Sequence, residues 1–72
     1  MDDAIDRERD AMKFLVEHAK RIRAWRLESG PNQGKYRVSV KLNVGVIVSK
    51  DGDTITDAIL AIEQECARFH RL

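Results

Sequence analysis

Between Tyr36 and Val48 the chain alternates without a break, and no other stretch limits its possible folds as strongly. Tyr36, Val38, Val40, Leu42, Val44, Val46 and Val48 share one parity, while Arg37, Ser39, Lys41, Asn43, Gly45 and Ile47 share the other. Successive side chains of an extended strand point to opposite faces. This period of two therefore predicts β-structure with one apolar face and one mostly polar face. A helix would scatter the valines around its circumference. Thirteen residues suit either one long strand or a hairpin. Directly paired residues share a face, so a two-residue turn would set even against odd positions and spoil the apolar side. A three-residue connection around Asn43 keeps it, because Asn tolerates a left-handed conformation and Gly45 is free to bulge. The hairpin is the preferred reading, with strands over about 35–41 and 44–50. An unbroken strand paired with a second chain is the alternative.

A half-apolar sheet needs a cover, and the C-terminal segment supplies one. Ile55, Ile59, Ile62, Cys66 and Phe69 recur at helical spacing and form a single stripe that should lie on the valine face. Lys50-Asp51-Gly52-Asp53 reads as the preceding turn. Thr54 or Thr56 can cap the helix, and Asp57 favours its positive end, so the helix is expected over about 54–70. At the other end of the chain, residues 3–28 contain neither proline nor glycine. Asp2, Asp3 and Asp6 stand at the start and Lys20, Arg21, Arg23 and Arg26 at the end, which matches a helix dipole. The spacing predicts one long helix over 3–28, stopped by Ser29-Gly30-Pro31 and followed by a loop over 29–34. The expected fold is α+β: a single α-β-β-α domain over 1–72 with a small antiparallel sheet and the second helix on its valine face.

Helix 1, read this way, is apolar around too wide an arc. Ile5, Met12, Leu15, Val16, Ala19 and Ile22 form a core-facing band, and Ala11, Phe14, His18 and Trp25 form an adjoining one. One small sheet and one helix cannot cover both. A domain of about 60 residues hides only ~60% of the surface its unfolded chain would expose, and one core of that size rarely gives more than ~3–5 kcal/mol. Disulfides cannot help, since Cys66 is the single cysteine. Association into a homodimer or higher oligomer is the expected supplement, with Phe14, His18, Arg21 and Trp25 as the contact band.

Several chemistries fail on spacing. Cys66 and His70 lie four apart on the expected helix, but with His18 they make three metal ligands where a closed zinc site takes four, so no metal is expected. Gly30-Pro31-Asn32-Gln33-Gly34-Lys35 has the wrong glycine spacing for a phosphate loop, and Tyr36 follows where Ser or Thr is required. Asp51-Gly52-Asp53 lacks the ligand pattern of a calcium loop. A short fold of this kind offers little room for a catalytic cleft, so neither an enzyme nor a cofactor is expected. The acidic start of the chain is unlike a secretory signal, and no apolar run approaches the length of a membrane span. With one free cysteine, the expected setting is cytoplasmic.

Two function classes remain. The first is a non-enzymatic oligomeric interaction protein that binds another macromolecule, a protein partner foremost, of the kind a phage or mobile element uses as inhibitor or accessory factor. The second is an oligomer that holds an anionic ligand, nucleic acid or a small nucleotide, at Arg21, Arg23, Trp25, Arg26 and Lys35. Arginine beside an aromatic can hold phosphate and stack a base. The net charge of +1 requires that such binding come from a local patch.

Overall fold

The computed structural model describes residues 3–70. The elements run α1 (Asp3–His18), β1 (Ala19–Arg26), β2 (Tyr36–Leu42), β3 (Ile47–Gly52) and α2 (Ile55–His70). The three strands form one antiparallel sheet in the order β1-β2-β3. The α+β class and the valine-face packing of α2 stand; the two-stranded sheet and the long first helix do not.

The helix expected over 3–28 ends at His18, and the chain enters β1 at the next residue. Residues 19–26 alternate too: Ile22, Ala24 and Arg26 share one parity, Arg21, Arg23 and Trp25 the other. Good helix formers concealed that period. Pairing with β2 outweighs the local preference, because it satisfies backbone groups along a strand that would otherwise present a bare edge. The register sets Ile22 against Val40, Ala24 against Val38 and Arg26 against Tyr36. An irregularity at Lys20, between Ala19 and Arg21, gives β1 one extra residue there. Ser29-Gly30-Pro31 accordingly belongs to the β1–β2 connection rather than to a helix cap. Leu27 donates its N–H to Lys35 O at 2.8 Å, and Gly34 donates to Leu27 O at 2.9 Å.

The transition from α1 to β1 without a linker leaves the last helical carbonyls in need of partners. Asn43, at the tip of the β2–β3 hairpin, provides them. Its backbone N–H donates to His18 O at 2.9 Å, and its side-chain amide donates to Glu17 O at 3.2 Å. The hairpin keeps the expected parity, but its second strand runs Ile47–Gly52 rather than over about 44–50, so Lys50, Asp51 and Gly52, expected in the turn, belong to β3. Val40 faces Val48 and Val38 faces Lys50, so even positions stay together. Leu42 donates to Val46 O at 2.8 Å, which leaves Asn43, Val44 and Gly45 as the connection. Gly45 takes φ +95°, the left-handed residue that closes such a loop. Val44 and Val46, expected on the apolar face, are exposed at this tip.

At the far end of β3, Gly52 lies against the first turn of α2. A Cβ there would come within 2.6 Å of Ala58 N, so only glycine allows this approach. Thr54 caps α2 by accepting the Asp57 N–H at 3.0 Å. The Asp57 carboxylate in turn accepts from Arg7, which ties the starts of the two helices together.

The core consists of Ala11, Phe14, Val38, Val40, Ala58, Ile59 and Ile62. Both helices pack on the same side of the sheet. The inward side draws on both expected bands: Ala11 and Phe14 are buried and Leu15 and Ala19 pack against the core, whereas Ile5, Met12 and Val16 of the expected core-facing band are 57%, 61% and 79% exposed. The expected surplus of apolar surface on this helix is present, on the side of Ile5, Met12 and Val16. On α2, Ile59 and Ile62 are buried and Cys66 is half-buried, while Ile55 is exposed. The side chains of Phe69 and His70 lie outside the described residues, and with them the expected Cys66–His70 pair.

Candidate nucleic-acid interface

With α1 and α2 on one side, the other side of the sheet has no covering element among the described residues. Strand parity decides what it displays. Arg21, Arg23 and Trp25 of β1 point there together with Arg37, Ser39 and Lys41 of β2, because paired residues share a face. Ile47, Ser49 and Asp51 of β3 complete it. The register arranges them in three rows across the sheet: Arg21–Lys41–Ile47, Arg23–Ser39–Ser49 and Trp25–Arg37–Asp51.

Four cations against one carboxylate give this face a strongly positive balance in a chain whose net charge is +1. The carboxylate is committed. Arg37 Nε donates to Asp51 Oδ1 at 2.7 Å and Arg37 Nη2 donates to Asp51 Oδ2 at 3.1 Å, a bidentate pair. Asn32 adds a third bond to Asp51 Oδ2 at 2.8 Å, pinning the β1–β2 loop to β3. The Arg37 hydrogen bond holds the Asp51 carboxyl below its usual range against the opposing effect of desolvation, and Asn32 assists. The same bond raises the Arg37 guanidinium further. Arg37 is thereby spoken for, and Arg21, Arg23 and Lys41 carry the uncompensated charge. Trp25 is 42% exposed, with the Arg23 guanidinium 6.0 Å from its ring centroid, at the limit of a cation–π contact. A shallow depression beside the indole is lined by Arg37, Ser49, Lys50 and Asp51.

The residues singled out from sequence are thus divided. Arg21, Arg23 and Trp25 come together on the open face. Arg26 is exposed on β1 but has the opposite parity, and Lys35 sits at the loop end with its Nζ 3.5 Å from Asp53. In the expected contact band, Phe14 is 5% exposed and lies in the core. His18 remains exposed at the end of α1, its ring centroid 5.4 Å from that of Phe14. The four residues of that band do not form one surface. Arg37 and Lys41 join the site instead. The signal for them was the parity shared by 21, 23 and 25 once those residues are read as strand.

A second concavity, of about 340 Å³, lies between the end of α1, the hairpin tip and α2. Phe14, His18, Leu42, Glu63 and Cys66 are among its lining residues. Burial, assisted by Glu65 and Glu63, pushes the Cys66 thiol up, which keeps it protonated and a poor nucleophile. Among the described residues no group of three His, Cys, Asp or Glu side chains is placed to hold a metal ion. No helix among them is long and apolar enough to cross a membrane. Compared with known protein families, curated proteins and solved structures, the chain matches none.

Proposed function

We propose that this protein is a small non-enzymatic binding protein, working as an oligomer, whose macromolecular partner is single-stranded nucleic acid held on the open sheet face. The observation that carries this reading is the convergence of Arg21, Arg23 and Lys41 around the half-exposed Trp25 on a face that no helix among the described residues covers. Phosphates are attracted to such a patch without any specific fit, and an indole offers a stacking surface to any unpaired base. Duplex suits the face less well, because bases stacked within a helix cannot reach the ring. Burial of Phe14 weakens the case for a protein partner on helix 1, since the expected contact band loses its central aromatic.

The experiment is an oligonucleotide titration read by intrinsic fluorescence, for Trp25 is the only tryptophan. A short oligo-dT should quench it at low salt. Three free cations predict that log K falls with log salt at a slope of about −2. Arg23→Ala should weaken binding and lower that slope by about 0.7. Absence of any response at low salt would remove the proposal, and a slope near zero would assign the response to something other than phosphate.

A further inference from the structure

Arg37 and Asp51 stand side by side on the open face, in the same row as Trp25. Their salt bridge leaves little net charge for a phosphate, and Arg21, Arg23 and Lys41 offer that charge without such a partner on the face. What the pair keeps is direction. A guanidinium is planar and holds its N–H donors in a fixed fork. Nε and Nη2 give the lateral edge of Arg37 to Asp51, at 2.7 and 3.1 Å. The end edge, made of Nη1 and the outer N–H of Nη2, points away from that carboxylate. Asn32 adds its own bond to Asp51 at 2.8 Å, so the fork is anchored through both β3 and the β1–β2 loop. A hollow of about 500 Å³ opens beside it, lined by Trp25, Ser49 and Lys50 as well as by the pair.

We infer that this fork reads the base stacked on Trp25, and that the base it prefers is guanine. Such a contact presupposes the single strand proposed above, and adds to it a choice among bases. Cross-strand neighbours on one face have Cβ atoms about 5 Å apart, so a base lying on the indole brings an edge to Arg37. Two parallel N–H donors need two adjacent acceptors. Guanine has them in O6 and N7, the commonest specific partner of an arginine. Adenine sets its N6 amino group beside N7, donor against donor. Thymine has N3–H between its two carbonyls. Cytosine carries the acceptors N3 and O2, but on a smaller ring that offers the indole less to stack on. Because Asp51 already fixes the fork, little freedom is lost when the base arrives.

Pentanucleotides that are dT except at the centre test this on the wild-type chain, with midpoints read from Trp25 fluorescence at low salt. A central dG should bind about fivefold more tightly than dT, the low end for a bidentate base contact. Inosine keeps O6 and N7 and should match dG, whereas 7-deazaguanine lacks N7 and should lose most of the gain. Arg37→Lys keeps the charge without the fork and should bring the dG-to-dT ratio near one. Asp51→Asn should lower that ratio while steepening the salt dependence, a combination that mere loss of structure does not give. Should either variant fail to fold by circular dichroism, the base analogues decide alone. GMP should need about tenfold more ligand than the dG pentanucleotide, since it brings one phosphate group to three free cations. Equal potency would keep the base contact and overturn the strand. Equal midpoints for all four bases, tighter binding of dC or dA, or 7-deazaguanine behaving as guanine would overturn the guanine contact and leave the strand standing. No response to any pentanucleotide would remove both.

Discussion

Asp51 is the residue on which the charge of the open face turns. Its carboxylate takes two bonds from Arg37 and one from Asn32, and so cancels one of four cations. Asp51→Asn should release Arg37 and steepen the salt dependence of oligonucleotide binding by about 0.7 in slope. An unchanged slope would mean that Arg37 does not face the ligand. Protons can do the same work. The folded-state pKa of Asp51 is lowered, so its contribution to stability is fully present above about pH 4, the unfolded value, and is lost as pH falls through the folded pKa. Acid unfolding of Asp51→Asn should accordingly begin from a less stable state and fall less steeply below pH ~4 than that of the wild type, by circular dichroism.

At the scale of elements, the sequence is plain where a single period runs uninterrupted and obscure where two coincide. Parity left the β2–β3 hairpin as one of two readings beside an unbroken strand, and it excluded a two-residue turn, which would have broken the apolar face at Val40 and Val48. Helix α2 followed from the stripe through Ile55, Ile59, Ile62, Cys66 and Phe69 and from a threonine cap, Thr54 or Thr56, of which the structure uses Thr54. Strand β1 did not. Ala19 to Arg26 is rich in residues that favour helices, and its basic content imitates a helix end, so the dipole argument hid a strand whose partner lies beyond a loop. The candidate site shared that fate. Arg21, Arg23 and Trp25 were legible as chemistry, whereas their alignment with Arg37 and Lys41 exists only through cross-strand register. The stop at His18 was equally invisible, because its cap comes from Asn43, across the hairpin. Asn43→Ala removes the bond to Glu17 O and leaves the backbone bond to His18 O. It should cost about 1 kcal/mol by urea titration and hasten amide exchange in the last turn of α1. Slow exchange there would show that the side-chain tie is dispensable.

For the whole molecule, the decisive quantity is how little is buried. Among the described residues seven apolar side chains are buried, and Ile62, Val38 and Val40 are the largest of those wholly enclosed. Against a total near 3–5 kcal/mol, loss of several methyl groups from one of these is enough to unfold the chain. Ile62→Ala, at about 2–5 kcal/mol, should leave the chain largely unfolded at 25 °C, while Ile62→Val, at about 0.5–1.5 kcal/mol, should lower the melting temperature and keep the fold. A folded, cooperative Ile62→Ala protein would show that stability resides elsewhere, with self-association the first place to look.

The join between α1 and β1 fixes a short spacing. His18 and Ala19 are consecutive, and β1 carries one extra residue at Lys20. Val16 on the helix side and Arg21 on the open face are therefore five residues apart in the chain, with no linker between the two elements that carry them.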